Sequence, residues 1–410
     1  MTANGAVVAT ATPPITVYLD SSDYSRLSAP KKTDAVASVI RTRLTEWSRA
    51  GTVRFVYSGV HISEMAPLAE TYTDPAAARV DLLVDLCERN AFISFDKLIN
   101  AELGTIAAPD RPRPELISTE GDWFPNIEDI LPPVNWASGI EEVTRLGKQR
   151  GLDRKARRKL ERKLFKHQAL KPATRAFLVK ANANADHAEL LASYPMRPED
   201  ADVLSQYILG KATTEEATSA LMNSLRDPRW MMRWFATHHE RLTPVIEWMR
   251  KPANDIAKSM KEVALRVVQM RNKYASSTRV GILEKFLSHD RWVEFQDEVL
   301  VNVVGKILSN FYPDCKVALT PQAIDAHCPG FATAIRSLHS SLWTAVGAQP
   351  RTPRDSDFLD SIHSMYAPYT TFFRTDRYMS THIRKHALSY GTEVVSRLED
   401  LVPQIEERLS

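Results

Sequence analysis

The sequence predicts an α/β protein with a parallel sheet, interrupted by a large all-helical insertion. Short β-branched and aromatic runs alternate with amphipathic helices over the first hundred residues. Strand character then almost vanishes, and it returns only in the last forty or so residues. These observations place one part of the α/β domain at 14–100, the insertion at 101–345 and the other part at 346–410.

The first strand is expected at about 15–20, where "ITVYLD" ends on an acid. A helix follows at about 33–50, capped by Thr33 or Asp34 and stopped by Gly51. "VRFVYS" completes a βαβ unit, "PAAARVDLLVDLCERN" begins a helix behind Asp74-Pro75, and "AFISF" is a short strand. From about 100, proline and turn residues lead into long helical periodicities. "YTTFFRTD" (369–376) and "TEVVS" (392–396) restore the strand pattern before a final helix, "RLEDLVPQIEERL".

Composition narrows the class. A chain of 410 residues, 44% hydrophobic and 25% charged, can bury a sizeable core, and its net charge of +3 is too mild to name a partner. Cys87, Cys315 and Cys328 form no CxxC pair and have no zinc-type spacing, which suits a reducing compartment. The first nineteen residues lack a signal-peptide pattern, and no stretch approaches a membrane span, so a cytoplasmic location is expected. No phosphate loop, dinucleotide fingerprint, HExxH or GxSxG element stands in a supporting context.

Acids recur where strands end. Asp20 and Asp23 follow the first strand, Glu64 lies shortly after the second, and Asp376 closes the late one. In a parallel sheet the carboxyl ends share an edge, so these acids converge despite their separation along the chain. In "RDSDFLDSIHSMYAPY", Asp357 and Asp360 share a helical face, with His363 three residues on. Each acid also has a plainer reading, a turn cap for Asp20 and Asp23 and a solvated face for the helix pair. Carboxylates gathered at about 4 Å repel by roughly 4 kcal/mol per pair, so a cluster needs a cation or shared protons. All-oxygen ligation suits Mg²⁺ or Mn²⁺.

"VYLDSSDYSRL", "VHISEM" and "DSDFLDSIHSMYAPYTTFFRTDRYM" together resemble the acidic segments of PIN-domain nucleases. The resemblance implies a three-layer, Rossmann-like sheet and assigns metal binding to Asp20, Glu64 and Asp376, with the helix acid supplied by Asp357 or Asp360. Thr371 stands where related PIN-like sequences carry another acid. The implied activity is hydrolysis of RNA, less often DNA, by a ribonuclease of toxin-like or defence type. In that scheme Asp20 and Asp376 hold the principal Mg²⁺ or Mn²⁺, while Glu64 and the helix acid complete the site. Ser22, His61 and His363 are candidates for substrate contact, against commoner roles in turns and packing.

Residues 145–175 carry thirteen Lys or Arg and two acids, so +11 is concentrated in one segment while the remainder is acidic. Arg154, Lys155, Arg157, Arg158, Arg162, Lys163 and Lys166 are the candidate phosphate contacts, with a solvated face or a subunit contact as the alternative. Trp230, Trp234 and Phe235 recur at helical spacing and are expected in a core more than in a base-stacking platform, and His238-His239 in packing or at the surface. The expected partner is RNA, with no membrane, and a homo-oligomer or an inhibitory protein partner is compatible with the chain. The competing function is a catalytically inert, regulatory nucleic-acid binder on the same fold.

Overall fold

The structure is a computed structural model. It describes residues 14–28, 34–67, 69–110, 114–125, 150–166, 169–171, 195–208, 210–238, 289–346 and 356–410, with a few isolated positions besides. The chain divides into two units, 1–125 with 244–410, and 126–243.

In the first unit β1 (Ile15–Tyr18) leads through α1 (Ser21–Ser28) and α2 (Ala35–Ala50) to β2 (Val53–Val56), which pairs with β1 in parallel. Asp34 caps α2 by accepting from Ala37 N, and Gly51 ends it at φ +67°, a left-handed position natural to a residue without Cβ. Next come α3 (Gly59–Met65), α4 (Thr73–Cys87), β3 (Ala91–Phe92) and α5 (Phe95–Ala107). β3 lies beyond β2, where Tyr57 and Ala91 form a parallel bridge and Phe92 N donates to Tyr57 O at 2.7 Å.

The same unit resumes with α6 (His289–Phe311), α7 (Pro321–His327), α8 (Pro329–Val346), α9 (Ser356–Ser364), β4 (Phe372–Arg374), α10 (Arg377–Ala387), β5 (Glu393–Val395) and α11 (Leu398–Leu409). The main sheet is wholly parallel, in the order β2-β1-β4-β5. Distant segments of the chain meet at its centre: Val17 faces Phe372, Tyr18 faces Phe373, and Thr371 N donates to Thr16 O at 2.8 Å. From β1 the chain steps outward to β2, and from β4 it steps outward the other way to β5. Right-handed crossovers then require helices on both faces. Accordingly α2 packs with α4 and α11, whereas α10 packs with α8.

The insertion is narrower than its sequence boundaries of 101–345. α6, α7 and α8 belong to the unit of the sheet, where Leu300, Val304, Leu308 and Phe331 share a core with Leu98, Leu103, Phe358 and Phe373. Helical periodicity shows that a face is buried but not against what. Glu102 ties this packing together. Its buried carboxylate accepts from Gly330 N (2.7 Å) and Phe331 N (3.0 Å) at the start of α8, and from the Tyr369 hydroxyl.

The second unit contains the helix Arg154–Leu164, a short hairpin (Phe165–Lys166 with Ala169–Leu170), and helices Pro198–Ile208, Thr214–Leu225 and Pro228–Thr237. Trp234 and Phe235 are buried, and the Trp230 indole donates to Pro195 O at 3.0 Å, so this aromatic set packs a core. His238 stacks on Trp234, while His239 and the rest of that segment to 250 lie outside the described residues. Among the described residues no helix is long and apolar enough to cross a membrane.

Candidate active site

The strand order reverses between β1 and β4, which in open α/β sheets creates a crevice at the carboxyl edge. Asp20 follows β1 by two residues and Asp376 follows β4 by two, so both leave the sheet from neighbouring strand ends. Each spends one carboxylate oxygen locally. Asp20 Oδ1 accepts from Ser22 N at 2.7 Å, and Asp376 Oδ1 caps α10 by accepting from Met379 N at 2.6 Å. Their second oxygens take no hydrogen bond among the described residues. Acting as a turn cap therefore occupies only one oxygen of each carboxylate.

Asp23 is not a simple cap. It is buried in α1, with Oδ1 3.0 Å from Arg374 Nη2 and Oδ2 accepting from Asp20 N at 3.1 Å, so it ties the end of β1 to β4. Burial pushes its carboxyl up to about 7 against the pull of Arg374. Arg374 had no sequence signal beyond a charged residue in an apolar strand, and its pairing was not anticipated.

Glu64 lies near the end of α3, and its Oε2 accepts from the Ser21 hydroxyl and lies 3.0 Å from His363 Nε2. Burial opposes its ionisation, but the interaction with His363 and these hydrogen bonds hold the carboxyl below its ordinary value. Tyr18, fully buried, places its hydroxyl 2.5 Å from His363 Nδ1 and 2.7 Å from Ser58 Oγ. Burial pushes that hydroxyl well above its ordinary pKa, and the negative charges of Glu64 and Asp20 act in the same direction. His61 is a buried wall: Ser58 N donates to its Nδ1 (3.1 Å), its Nε2 meets Leu19 O (2.9 Å), and burial lowers its pKa to about 3.

Other expectations fare differently. Asp360 stands on α9, but the Asp357 side chain lies outside the described residues. Thr371 lies at the opposite end of β4, where its Oγ1 accepts from Thr16 N at 3.1 Å, so it is no counterpart of a site acid. Ser22 is exposed, and its backbone rather than its hydroxyl engages Asp20. Among the described residues no group of three or more His, Cys, Asp and Glu side chains is drawn together to hold a metal ion. Two carboxylates suffice for Mg²⁺, which keeps several waters and binds phosphate oxygens besides. Asp20 and Asp376, each with an oxygen to spare, suit that all-oxygen chemistry, whereas Glu64 is engaged by His363 and Ser21.

In the second unit the basic segment forms a helix capped by Asp153, whose Oδ1 accepts from Ala156 N at 2.6 Å. Arg154, Arg158 and Arg162 repeat at i, i+4 and i+8, and Lys155, Lys159 and Lys163 do the same beside them. All six are exposed, while Ala156, Arg157, Leu160, Glu161 and Leu164 form the half-buried face. Of the predicted contacts, Arg157 is half-buried and the others described are exposed, as is Lys159 beside them; the Lys166 side chain lies outside the described residues.

No family model, curated protein or solved structure matches the chain.

Proposed function

We propose that this chain is a metal-dependent nuclease with a PIN-like fold, hydrolysing phosphodiester bonds in RNA. The observation that carries this reading is the reversal of strand order between β1 and β4, with Asp20 and Asp376 at the two adjoining strand ends. Asp20 and Asp376 would hold Mg²⁺ or Mn²⁺, which supplies charge neutralisation at the phosphate and a water of lowered pKa. Asp23 and Arg374 hold the two strand ends together, and Glu64, whose Oε2 is held by His363 and Ser21, would serve as a proton acceptor through its other oxygen. The exposed arginine and lysine rows attract the phosphate backbone without reading sequence.

The experiment is incubation of the full chain with labelled RNA and single-stranded DNA, with Mg²⁺, with Mn²⁺ and with EDTA. Cleavage of RNA that EDTA abolishes supports the proposal; cleavage that persists in EDTA, or none with either metal, refutes it. A second reading, nucleic-acid binding without cleavage, draws on the engagement of Glu64 by His363 and Ser21. Salt-sensitive RNA binding in the absence of any cleavage would favour it.

A further inference from the structure

We infer that His363 is the positioning residue for Glu64, with the carboxylate fixing the imidazole as its Nε2–H tautomer and the Tyr18 hydroxyl donating to the lone pair on Nδ1. The consequence for cleavage rests on the hydrolytic reading above, whereas the tautomer does not.

Three elements meet in this chain of contacts: Tyr18 from β1, Glu64 from α3 and His363 from α9. Tyr18, Ser58 and His363 are buried, so each polar atom must be satisfied by its neighbours. An ionised carboxylate only accepts, so the proton between His363 Nε2 and Glu64 Oε2, 3.0 Å apart, belongs to the nitrogen. With the imidazole neutral, Nδ1 then carries the lone pair and accepts from the Tyr18 hydroxyl at 2.5 Å. Ser58 Oγ, 2.7 Å away, in turn donates to the tyrosine oxygen. This assignment gives every proton one acceptor. The opposite tautomer sets an Nε2 lone pair against Oε2 and leaves Nδ1–H facing a hydroxyl that must redirect its own proton.

The carboxylate is held unequally as a result. Oε2 takes the His363 N–H and the Ser21 hydroxyl, while Oε1 takes no hydrogen bond among the described residues. One oxygen is anchored and the other is left for chemistry. His61, with its ring 4.9 Å from that of His363 and both nitrogens committed to backbone groups, holds the imidazole plane from the side. Such partners of a reactive carboxylate commonly change activity about 10–100-fold when removed.

The test uses the full chain with ¹⁵N-labelled histidine at pH 8, the His363 signals being assigned by their loss in His363→Gln. Nε2–H with an unprotonated Nδ1 is expected; Tyr18→Phe, which keeps the ring and its stack on Phe373 (5.1 Å), should retain that tautomer and shift only the Nδ1 signal, whereas Glu64→Gln, which removes the acceptor-only partner, should mix the two tautomers. An Nδ1–H tautomer or an imidazolium in the wild type, or an unchanged pattern in Glu64→Gln, overturns the inference. For RNA cleavage, His363→Leu should lower kcat about 10–100-fold with KM held. His363→Gln, which keeps an N–H close to the Nε2 position, should restore most of it. Equal losses in the two variants overturn the positioning role. A wild-type chain that cleaves nothing sinks the hydrolytic reading alone, since the tautomer spectra still decide this one.

Discussion

Replacing Arg154, Arg158 and Arg162 together by Gln tests whether the basic helix binds phosphates. Gln keeps helix propensity and length, so the change is mainly one of charge. The 11-residue helix is about 16 Å long, and the arginines fall on successive turns of its exposed side. Each phosphate contact to a single strand adds about 0.7 to the slope of log K against log[salt]. Losing three lowers the slope by about 2, and at about 0.15 M salt each contact is worth roughly fourfold, so affinity falls roughly 50-fold. Stability should move the other way. Arg154–Arg158 and Arg158–Arg162 are like-charge i,i+4 pairs, each costing the helix about 0.2–0.5 kcal/mol, and the variant is relieved of both. Weaker binding by a chain that is no less stable cannot be blamed on unfolding. Fluorescence anisotropy with labelled single-stranded RNA across a salt series, beside urea denaturation, reads both quantities. An unchanged slope, or an equal loss from Arg157→Gln on the half-buried face, would refute the assignment.

Three further outcomes are expected. Asp20→Asn and Asp376→Asn should each reduce Mg²⁺-dependent cleavage on the order of 1000-fold, the equivalent of about 4 kcal/mol. The caps they form should survive because Asn caps as well as Asp, so near-normal turnover by both would remove them from the site. Stability against pH should show two opposed slopes. His61, about 3 when folded against an ordinary 6.5, makes stability rise with pH over that window, because the unfolded chain binds the extra proton. Asp23, about 7 against 3.8, makes it fall between those values, because there the folded chain binds the extra proton. The two offset between about pH 4 and 6.5, so Asp23→Asn should unmask a rise of up to about 1.4 kcal/mol per pH unit in urea titrations, and a flat profile would contradict it. Glu102→Gln turns a charged acceptor of three hydrogen bonds into an amide with one accepting oxygen, and should cost about 2–3 kcal/mol in urea denaturation. A loss below about 1 kcal/mol would mean that the start of α8 does not depend on it.

Local chemistry made much of the first unit legible in advance. Runs such as "ITVY", "VRFV" and "FFR" can bury both faces of a strand, Gly51 can end a helix in the left-handed region, and the acids just after β1 and β4 mark the edge where those parallel strands finish. The basic helix was legible for the same reason, since a period of four in Arg and Lys is written along the chain. Partnership is different, because it depends on residues brought together across hundreds of positions. Nothing adjacent to Glu64 shows that His363 and Ser21 would hold it, or that Tyr18 would back His363, and nothing around Asp23 names Arg374. Helical periodicity likewise showed that α6–α8 bury a face without showing that they bury it in the core shared with Phe358 and Phe373. Sequence by itself determined which residues could form strands, caps and charged rows, because these follow from each residue's own backbone and side-chain preferences. The tertiary structure decided which carboxylate oxygens are spent and which remain, because that follows from the neighbours that reach them.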